Sequence, residues 1–216
     1  MTTQAQATGR VIEVAHPLVR HKLTLLRKVE TDTRDFRALT SELATLLCYE
    51  ATKDLPTESV EIQTPLERAV GQQVSGKKVG VVPILRAGLG MLDGVMQLLP
   101  VARVGFIGLY RDEETLEPHA YYEKLPPDLA ERDVLLLDPM LATGGSVSAA
   151  VNTVKQSGAN TVRLLSILAA PEGIARLQAD HPDVDIYVAS IDRQLNEMGY
   201  ICPGLGDAGD RLFGTK

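Results

Sequence analysis

The stretch DVLLLDPMLATGGSVSAA, residues 133–150, decides the fold of this chain. It opens with an apolar run that predicts a buried strand ending at Asp138, and its last residues predict a helix. Glycines let a backbone approach a ligand closely, and the amides at a helix start point at an anion. The hydroxyls of Thr143 and Ser146 add donors. The stretch therefore predicts a phosphate-monoester site in which Asp138 accepts hydrogen bonds from ribose hydroxyls.

A plainer interpretation of the same loop stays open at this point. Ser146 can serve as the N-cap of the helix, with Gly144 and Gly145 forming a simple tight turn. The loop is not a P-loop, because no lysine follows the second glycine.

Outward from this stretch, predicted strands and helices alternate along the chain. We predict strands at 78–85, 103–110, 133–138, 161–170 and 184–190. We predict helices at 17–30, 33–50, 65–75, 87–100, 144–158 and 171–180. The alternation indicates an α/β fold with a mostly parallel sheet, and apolar strands without alternation indicate that both faces are covered. We expect one domain over residues 1–216, with ligands at the carboxyl ends of the strands.

Composition excludes several classes of protein. The net charge of −6 and the pI near 5.3 argue against non-specific binding of nucleic acid or of anionic membranes. Cys48 and Cys202 lack metal-site spacing, and the four histidines form no metal motif, so we expect free thiols in a reducing cytosol. The first residues carry no apolar signal segment, and no uncharged apolar run reaches about 18 residues, so we expect a cytoplasmic protein without a membrane span.

Two arginines directly follow predicted strands. A guanidinium such as that of Arg86 can bind a diphosphate through two hydrogen bonds, although a surface arginine is the alternative. Arg111 opens the polar connection 111–128, which carries three prolines. Connections of this length are typical of lids or arms, so we expect a flexible arm there, with the acidic run 112–114 facing solvent.

The tail contains a pattern that resembles a dinucleotide site. PGLGDAGD, residues 203–210, has the spacing G-x-G-x-x-G. Only 216 − 209 = 7 residues follow the last glycine, which leaves no room for a crossover helix and a second strand. The spacing therefore does not indicate a dinucleotide fold.

Five stretches together resemble the uracil phosphoribosyltransferases, a branch of the type I phosphoribosyltransferase family. They are HPLVRHKLTLLR, VVPILRAGLGMLDG, LYRDEETLEP, DPMLATGGS and GYICPGLGDAGDRLFGTK, and the resemblance runs from about Val11 to Lys216. DPMLATGGS resembles the motif that binds 5-phosphoribosyl diphosphate (PRPP). Most relatives in the wider family carry two adjacent acidic residues here. Pro139 replaces the second, as in the uracil branch, which leaves Asp138 more of the ribose to hold.

The resemblance implies a fold and a reaction. The expected fold is that of type I phosphoribosyltransferases, with a hood built from the N- and C-terminal segments, including 191–216, and a protruding arm at 111–128. The expected enzyme transfers the 5-phosphoribosyl group from PRPP to N1 of uracil, giving UMP and diphosphate. Its cofactor is Mg²⁺, held mainly through PRPP without direct protein ligands. A homo-oligomer, dimer or larger, is expected, and GTP is a possible effector.

The resemblance also assigns residues. The implied catalytic residues are Arg86, Arg111, Asp138 and Asp207. PRPP is expected to contact Arg86, Arg111, Asp138, Pro139, Met140, Leu141, Ala142, Thr143, Gly144, Gly145, Ser146 and Asp207. Uracil is expected against the backbone of Ile201, Gly206, Asp207 and Ala208, with Asp207 facing PRPP through Mg²⁺ or a water.

Two alternatives remain open. A regulator on the same fold that binds nucleotides and RNA needs a basic face, which the net charge of −6 and the lack of a long Lys/Arg cluster oppose. A transferase for another base is opposed by the tail alone, where fixed backbone groups would leave mismatched partners unpaired with cytosine.

Overall fold

The computed structural model describes residues 9–76, 79–111, 118–159 and 161–215. For Arg111 and Pro118 it describes only the backbone. Three predicted features lie partly outside this range. They are the start of the predicted strand 78–85 at Lys78, residues 112–117 of the predicted arm, and Lys216 of the tail. The helices are α1 (Pro17–Arg27), α2 (Thr33–Ala51), α3 (Leu89–Leu98), α4 (Gly145–Gln156), α5 (Pro171–Asp180) and α6 (Ala208–Phe213).

The strands form one large sheet and two small ones within the described residues. They are β1 (Val11–Glu13), β2 (Thr57–Gln63), β3 (Arg68–Val74), β4 (Val79–Leu85), β5 (Arg103–Val104), β6 (Phe106–Arg111), β7 (Pro118–Lys124), β8 (Asp133–Leu137), β9 (Met140–Leu141), β10 (Thr161–Ala169), β11 (Asp185–Ile191), β12 (Gln194–Leu195) and β13 (Ile201–Cys202). The main sheet has the order β1-β11-β10-β8-β4-β6-β7, with β5 beside β4 and β9 beside β10. Its pairs are parallel except β6–β7, which confirms the predicted mostly parallel sheet.

Helices cover both faces of this sheet. In β8, Leu135 and Leu137 join a core with α1, α2, α3 and α6. Val134 and Leu136 point the other way, into a core with α4 and α5. Because successive side chains of a strand face opposite sides, a strand buried on both faces is apolar throughout. This explains why the central strands lack alternation.

The predicted helix at 65–75 is wrong. The chain forms an antiparallel hairpin there, in which β2 pairs with β3 from Thr57↔Val74 to Gln63↔Arg68. Pro65 lies in the turn, where the Thr64 hydroxyl accepts the amides of Leu66 at 3.2 Å and Glu67 at 3.0 Å. The apolar residues of β2 alternate with polar ones, and this period of two outweighs the helix-start signal of the proline.

The predicted arm at 111–128 is only partly an irregular connection. Pro118–Lys124 forms β7, an edge strand antiparallel to β6, with a register shift between Gly108 and Leu109. Proline at the first position of an edge strand is permitted because it has no ladder hydrogen bond to donate there. The polar composition of an edge strand concealed this element from the sequence.

The tail also contains structure that the sequence did not predict. Residues Ala208–Phe213 form α6, closed by Gly214 in the left-handed region at φ 65°. Predicted helix 17–30 ends at Arg27, and predicted strand 103–110 is interrupted at Gly105. Both cysteines are free; Cys48 is buried, and that burial raises the pKa of its thiol to about 12.

Candidate active site

Three adjacent strands end at one edge of the sheet, and each carries a predicted site residue there. β8, β4 and β6 are neighbours and parallel. Asp138 follows β8, Arg86 follows β4, and Arg111 is the last residue of β6. Since parallel strands share their carboxyl edge, the fold brings these three positions together. The side chain of Arg111 lies outside what the structure describes.

The loop of residues 138–146 is anchored to β10. The Pro139 carbonyl accepts two β10 amides at 3.1 and 3.0 Å, and the Leu141 amide donates to the Ser166 hydroxyl at 3.2 Å. Ser166 is fully buried, and the Leu141 side chain belongs to the core. Pro139 and Leu141 therefore hold the loop in place, because their backbone groups are taken up by bonds to β10 and to the Ala170 amide.

The helix after this loop begins at a glycine. Gly144 is the N-cap of α4 and has the left-handed φ of 80°, which favours glycine because it lacks a Cβ. The interpretation of Ser146 as the N-cap is wrong, because Ser146 is the second helical residue. The first amides of a helix have no partner within it, so α4 presents donors where the sequence predicts a phosphate.

A close approach by α5 supports the same loop. A Cβ on Gly173 would collide with the carbonyl oxygen of Ala142 and stand 2.8 Å from that of Leu141. Only a glycine lets α5 pack this tightly against the loop backbone. Gly173 was not a predicted site residue, since a glycine inside a helix gives no sign of what packs on it.

Asp138 is a carboxyl group in a dehydrated position. Its side-chain oxygen Oδ1 accepts the Met140 amide at 3.3 Å. Burial raises the pKa of Asp138 from 3.8 to about 7, while the hydrogen bond from Met140 opposes the rise. A buried carboxyl group with a strongly shifted pKa, placed in a cleft, is typical of a functional site.

The Arg86 loop lies between the Asp138 strand and the tail. The peptide bond Leu85–Arg86 is cis. A Cβ on Gly88 would collide with the Leu137 carbonyl oxygen, so this loop packs directly on the end of β8. The exposed Arg86 side chain reaches the tail, where its Nη2 lies 4.0 Å from the position of a Cβ on Gly209.

The tail folds back over these loops. Asp207 is exposed and caps α6, with its Oδ1 accepting the Asp210 amide at 2.8 Å. Gly206 has a left-handed φ of 84°. Ile201 and Ala208 are 4% exposed, so their side chains anchor the segment and leave its backbone available to a ligand.

The tail and the strand ends enclose a cavity of about 200 Å³. That volume is below the roughly 300–1,000 Å³ of drug-sized pockets and suits a single small ring. Its walls are Ala87, Asp138, Met140, Ala142, Gly199, Tyr200, Ile201, Gly206, Asp207, Ala208 and Gly209. A wider hollow of about 780 Å³ shares Tyr200, Gly206 and Asp207 with it and extends toward Arg27 and Thr33.

The cavity thus brings together many predicted residues and adds others. Asp138, Met140 and Ala142 from the loop meet all four residues predicted for uracil. Thr143 to Ser146 continue beyond the cavity into α4. Ala87 and Gly209 adjoin the predicted Arg86 and Ala208. Gly199 and Tyr200 were missed; Tyr200 directly precedes the predicted Ile201, which is the one signal that could have found it.

Two absences hold for the part of the chain that the structure describes. No three side chains among its His, Cys, Asp and Glu residues cluster so as to hold a metal ion. None of its helices combines the length and the apolar character that crossing a membrane requires.

Comparison with known families matches almost the whole chain. A family profile described as "Uracil phosphoribosyltransferase" matches residues 13–215. A uracil phosphoribosyltransferase of Finegoldia magna is 60% identical over 208 residues, covering 96% of this chain and 100% of its own length. One of Lacticaseibacillus paracasei is 57% identical with the same coverage.

Solved structures agree on the fold. The AQ2163 protein from Aquifex aeolicus superposes with a TM-score of 0.91 at 41% identity, covering 95% of this chain and 99% of that one. A hypoxanthine-guanine phosphoribosyltransferase of Bacillus anthracis gives a TM-score of 0.50 at 12% identity, covering 74% of this chain and 80% of its own, which concerns the fold alone. The predicted type I phosphoribosyltransferase fold is confirmed.

Proposed function

Since the chain belongs to the uracil phosphoribosyltransferase family, we propose how its site transfers the 5-phosphoribosyl group of PRPP to N1 of uracil. The protein is a uracil phosphoribosyltransferase of pyrimidine salvage, and its products are UMP and diphosphate. The observation that carries the assignment of the site is the cavity in which Asp138 of the PRPP loop faces Ile201 and Gly206–Ala208 of the tail.

The PRPP loop, residues 138–146, binds the 5-phosphoribosyl group. The helix-start amides of α4 receive the 5′-phosphate, because these donors need no rearrangement to meet an anion, and the hydroxyls of Thr143 and Ser146 add to them. Asp138 accepts hydrogen bonds from the ribose hydroxyls. The bonds from Pro139 and Leu141 to β10 support this role, since they hold the loop in place before the substrate arrives.

Arg86 and Arg111 bind the diphosphate. The position of Arg86 between β4 and the tail supports this role, as does the placement of Arg111 on the neighbouring strand. A planar guanidinium offers paired donors that match diphosphate oxygens and remains charged throughout. Both side chains stabilise the negative charge that collects on the diphosphate as it leaves.

The tail recognises uracil through its backbone. Uracil presents acceptors at O2 and O4 and a donor at N3, and the backbone groups of Ile201 and of Gly206–Ala208 can match them without side-chain freedom. Cytosine reverses the pattern at N3 and C4 and would leave these groups unpaired. Sites of this kind reject the mismatched analogue by about 10⁴-fold.

The reaction is a displacement at C1′ of the ribose. The bond from C1′ to the diphosphate oxygen breaks before the bond to N1 forms, which gives the ribose oxocarbenium character as in other glycosyl transfers. As the new bond forms, the proton on N1 leaves to the departing diphosphate. The protein contributes mainly by aligning the reactants, because the tail holds N1 of uracil opposite the departing diphosphate oxygen. Closure of the tail and the arm keeps water from competing with uracil.

The residues of the cavity fit Mg²⁺ held mainly through PRPP. This ion takes one or two carboxylates together with substrate phosphates and waters, and the cavity contains the two carboxyl groups of Asp138 and Asp207. Asp207 would hold it, through a water. When bound, the ion supplies positive charge to the diphosphate oxygens.

One assay tests the function. The protein is mixed with PRPP and Mg²⁺ and with uracil, cytosine, hypoxanthine or adenine in turn, and the nucleotide product is identified. UMP from uracil, with the other bases inactive, is the expected result. A different nucleotide would contradict the assignment of the tail, and no nucleotide from any base would contradict the assignment of the site.

Three further properties belong to the same proposal. A homo-oligomer, a dimer or larger, and activation by GTP are proposed from the family resemblance. A cytoplasmic location is supported by the free thiols of Cys48 and Cys202. The single domain over residues 1–216 is supported by the main sheet, whose strands come from both ends of the described chain.

A further inference from the structure

We propose that Arg27 and Asp192 form a positioning pair that sets the affinity for uracil and the selectivity of the tail. The inference rests on the proposed function, because it concerns the segment assigned to the base. Neither residue lines the 200 Å³ cavity. Both act through the backbone of Gly204, and neither touches the base.

The pair is a bidentate ion pair with little exposure to solvent. Arg27 is the last residue of α1, and Asp192 directly follows β11. The Nη1 atom of Arg27 donates to Oδ2 of Asp192 at 2.7 Å, and Nη2 donates to Oδ1 at 2.5 Å. The two side chains are 22% and 4% exposed. Two parallel bonds between planar groups fix orientation as well as distance.

The pair holds both polar backbone groups of one residue. Nη1 of Arg27 also donates to the Gly204 carbonyl at 2.8 Å, and the Gly204 amide donates to Oδ2 of Asp192 at 2.8 Å. Gly204 has a left-handed φ of 65°, and a Cβ there would collide with the Ile201 carbonyl oxygen. The pair thus holds a backbone conformation that only glycine adopts at low cost.

Gly204 lies between the two parts of the base-binding segment. Ile201 precedes it by three residues, and Gly206 follows by two. The next residue is fastened separately, because the Leu205 carbonyl accepts a hydrogen bond from Arg211 at 2.8 Å. Loss of the pair therefore shifts the segment without detaching it. A displacement of roughly 1 Å in a positioned group can cost about 100-fold in rate or affinity.

The PRPP loop is held by other bonds. Its anchors are the backbone of β10 and the Ser166 hydroxyl, and Arg27 takes no part in them. Disruption of the pair should therefore act on uracil and leave PRPP binding unchanged. A purely structural role would weaken binding of both substrates together.

The test compares Asp192→Asn and Arg27→Gln with a matched control pair. In Asp128–Arg132, Nη2 of Arg132 donates to Oδ2 of Asp128 at 2.9 Å and Nε donates to Oδ1 at 3.1 Å, with side chains 17% and 9% exposed. That pair precedes β8, at the opposite edge of the sheet from the site. Arg132→Gln therefore reports the effect of losing a bidentate pair at a residue outside both the tail and the arm. Arg27→Lys keeps the charge but lacks the planar fork that makes two parallel bonds to Asp192.

Steady-state kinetics with uracil and PRPP varied in turn gives the readout. In Asp192→Asn and Arg27→Gln, KM for uracil should rise about tenfold or more while KM for PRPP stays within about threefold. The ratio of kcat/KM for cytosine to kcat/KM for uracil should rise in both variants. Arg27→Lys should recover part of the loss. The control Arg132→Gln should change neither KM.

The outcomes separate the inference from the proposed function. A wild-type protein that forms no UMP contradicts the proposed function. A wild-type protein that forms UMP, beside variants whose KM for uracil is unchanged or rises in step with KM for PRPP, overturns the positioning role. If Asp192→Asn fails to fold in thermal melting, Arg27→Lys decides by the same two KM values.

Discussion

Gly173 of α5 packs directly on the carbonyl oxygen of Ala142 in the PRPP loop, in a space that a Cβ would overfill. The contact joins a helix to which no catalytic side chain is assigned to the loop proposed to bind PRPP. The loop thus depends on α5 as well as on β10.

Gly173→Ala should weaken PRPP binding. The added methyl group pushes α5 from the loop, and overpacking of this kind costs roughly 1–3 kcal/mol of folding free energy. We expect a lower melting temperature and a higher KM for PRPP, with KM for uracil less affected. Gly71→Ala is the control, because its Cβ would make ordinary contact with Ile62 on the hairpin. Equal KM values for PRPP in the two variants would contradict the role of the contact.

Asp138→Asn should change the pH dependence of stability. The pKa of the Asp138 carboxyl is raised to about 7 by burial, from 3.8. Between these values the folded state holds more protons than the unfolded state, so the free energy of unfolding falls as pH rises, and the contribution is constant above the folded pKa. Asparagine does not titrate. The variant should gain stability relative to the parent as pH increases through this window, measured by denaturant unfolding.

The same variant tests the ribose contact. Charged Asp138 is the better acceptor for hydroxyl groups, so kcat/KM of the parent for PRPP should rise with pH through the pKa near 7. Asp138→Asn should lower kcat/KM for PRPP at every pH. It should also remove the increase of kcat/KM with pH that the titration of Asp138 causes. If Asp138→Asn is more stable than the parent at high pH and yet keeps the full kcat/KM for PRPP, Asp138 does not bind the ribose hydroxyls.

Arg111→Ala should lower kcat more than it weakens uracil binding. Its position at the end of β6, the strand next to β4, supports the proposed contact with the diphosphate, where charge develops in the transition state. Loss of one such donor costs about 100- to 1,000-fold in kcat. Presteady-state kinetics with uracil in excess would measure the step. Arg103→Ala, at an exposed position in β5, serves as the control, and an unchanged kcat in Arg111→Ala would contradict the arm's role.

Gly204→Ala should be more damaging than Gly206→Ala. Both glycines have a left-handed φ, which costs another residue about 1–2 kcal/mol. A Cβ at Gly204 also collides with the Ile201 carbonyl, whereas at Gly206 its nearest neighbour is Cδ of Arg211 at 3.8 Å. Melting temperature and KM for uracil should both follow this order. The reverse order would mean that the tail tolerates displacement at Gly204.

The sequence predicted the parts of the fold whose signals are local. The strands β4, β8, β10 and β11 are mostly apolar and rich in leucine, valine and isoleucine. The PRPP loop joins β8 to α4, so the sequence indicated both the buried strands and the chemistry of the loop. The helix predicted at 65–75 failed because Pro65 starts a tight turn as readily as a helix. β7 was missed because an edge strand exposed to solvent has no apolar pattern to detect.

By itself the sequence determined the reaction class, the α/β architecture and most of the residues proposed for PRPP and uracil, since each is set by residues adjacent in the chain. Only the tertiary structure decided which distant groups hold them. Arg27 and Asp192 are 165 positions apart, yet they meet on Gly204, and Gly173 reaches Ala142 from another helix. Contacts of this kind arise when packing brings remote segments together, and no local pattern in the chain encodes them.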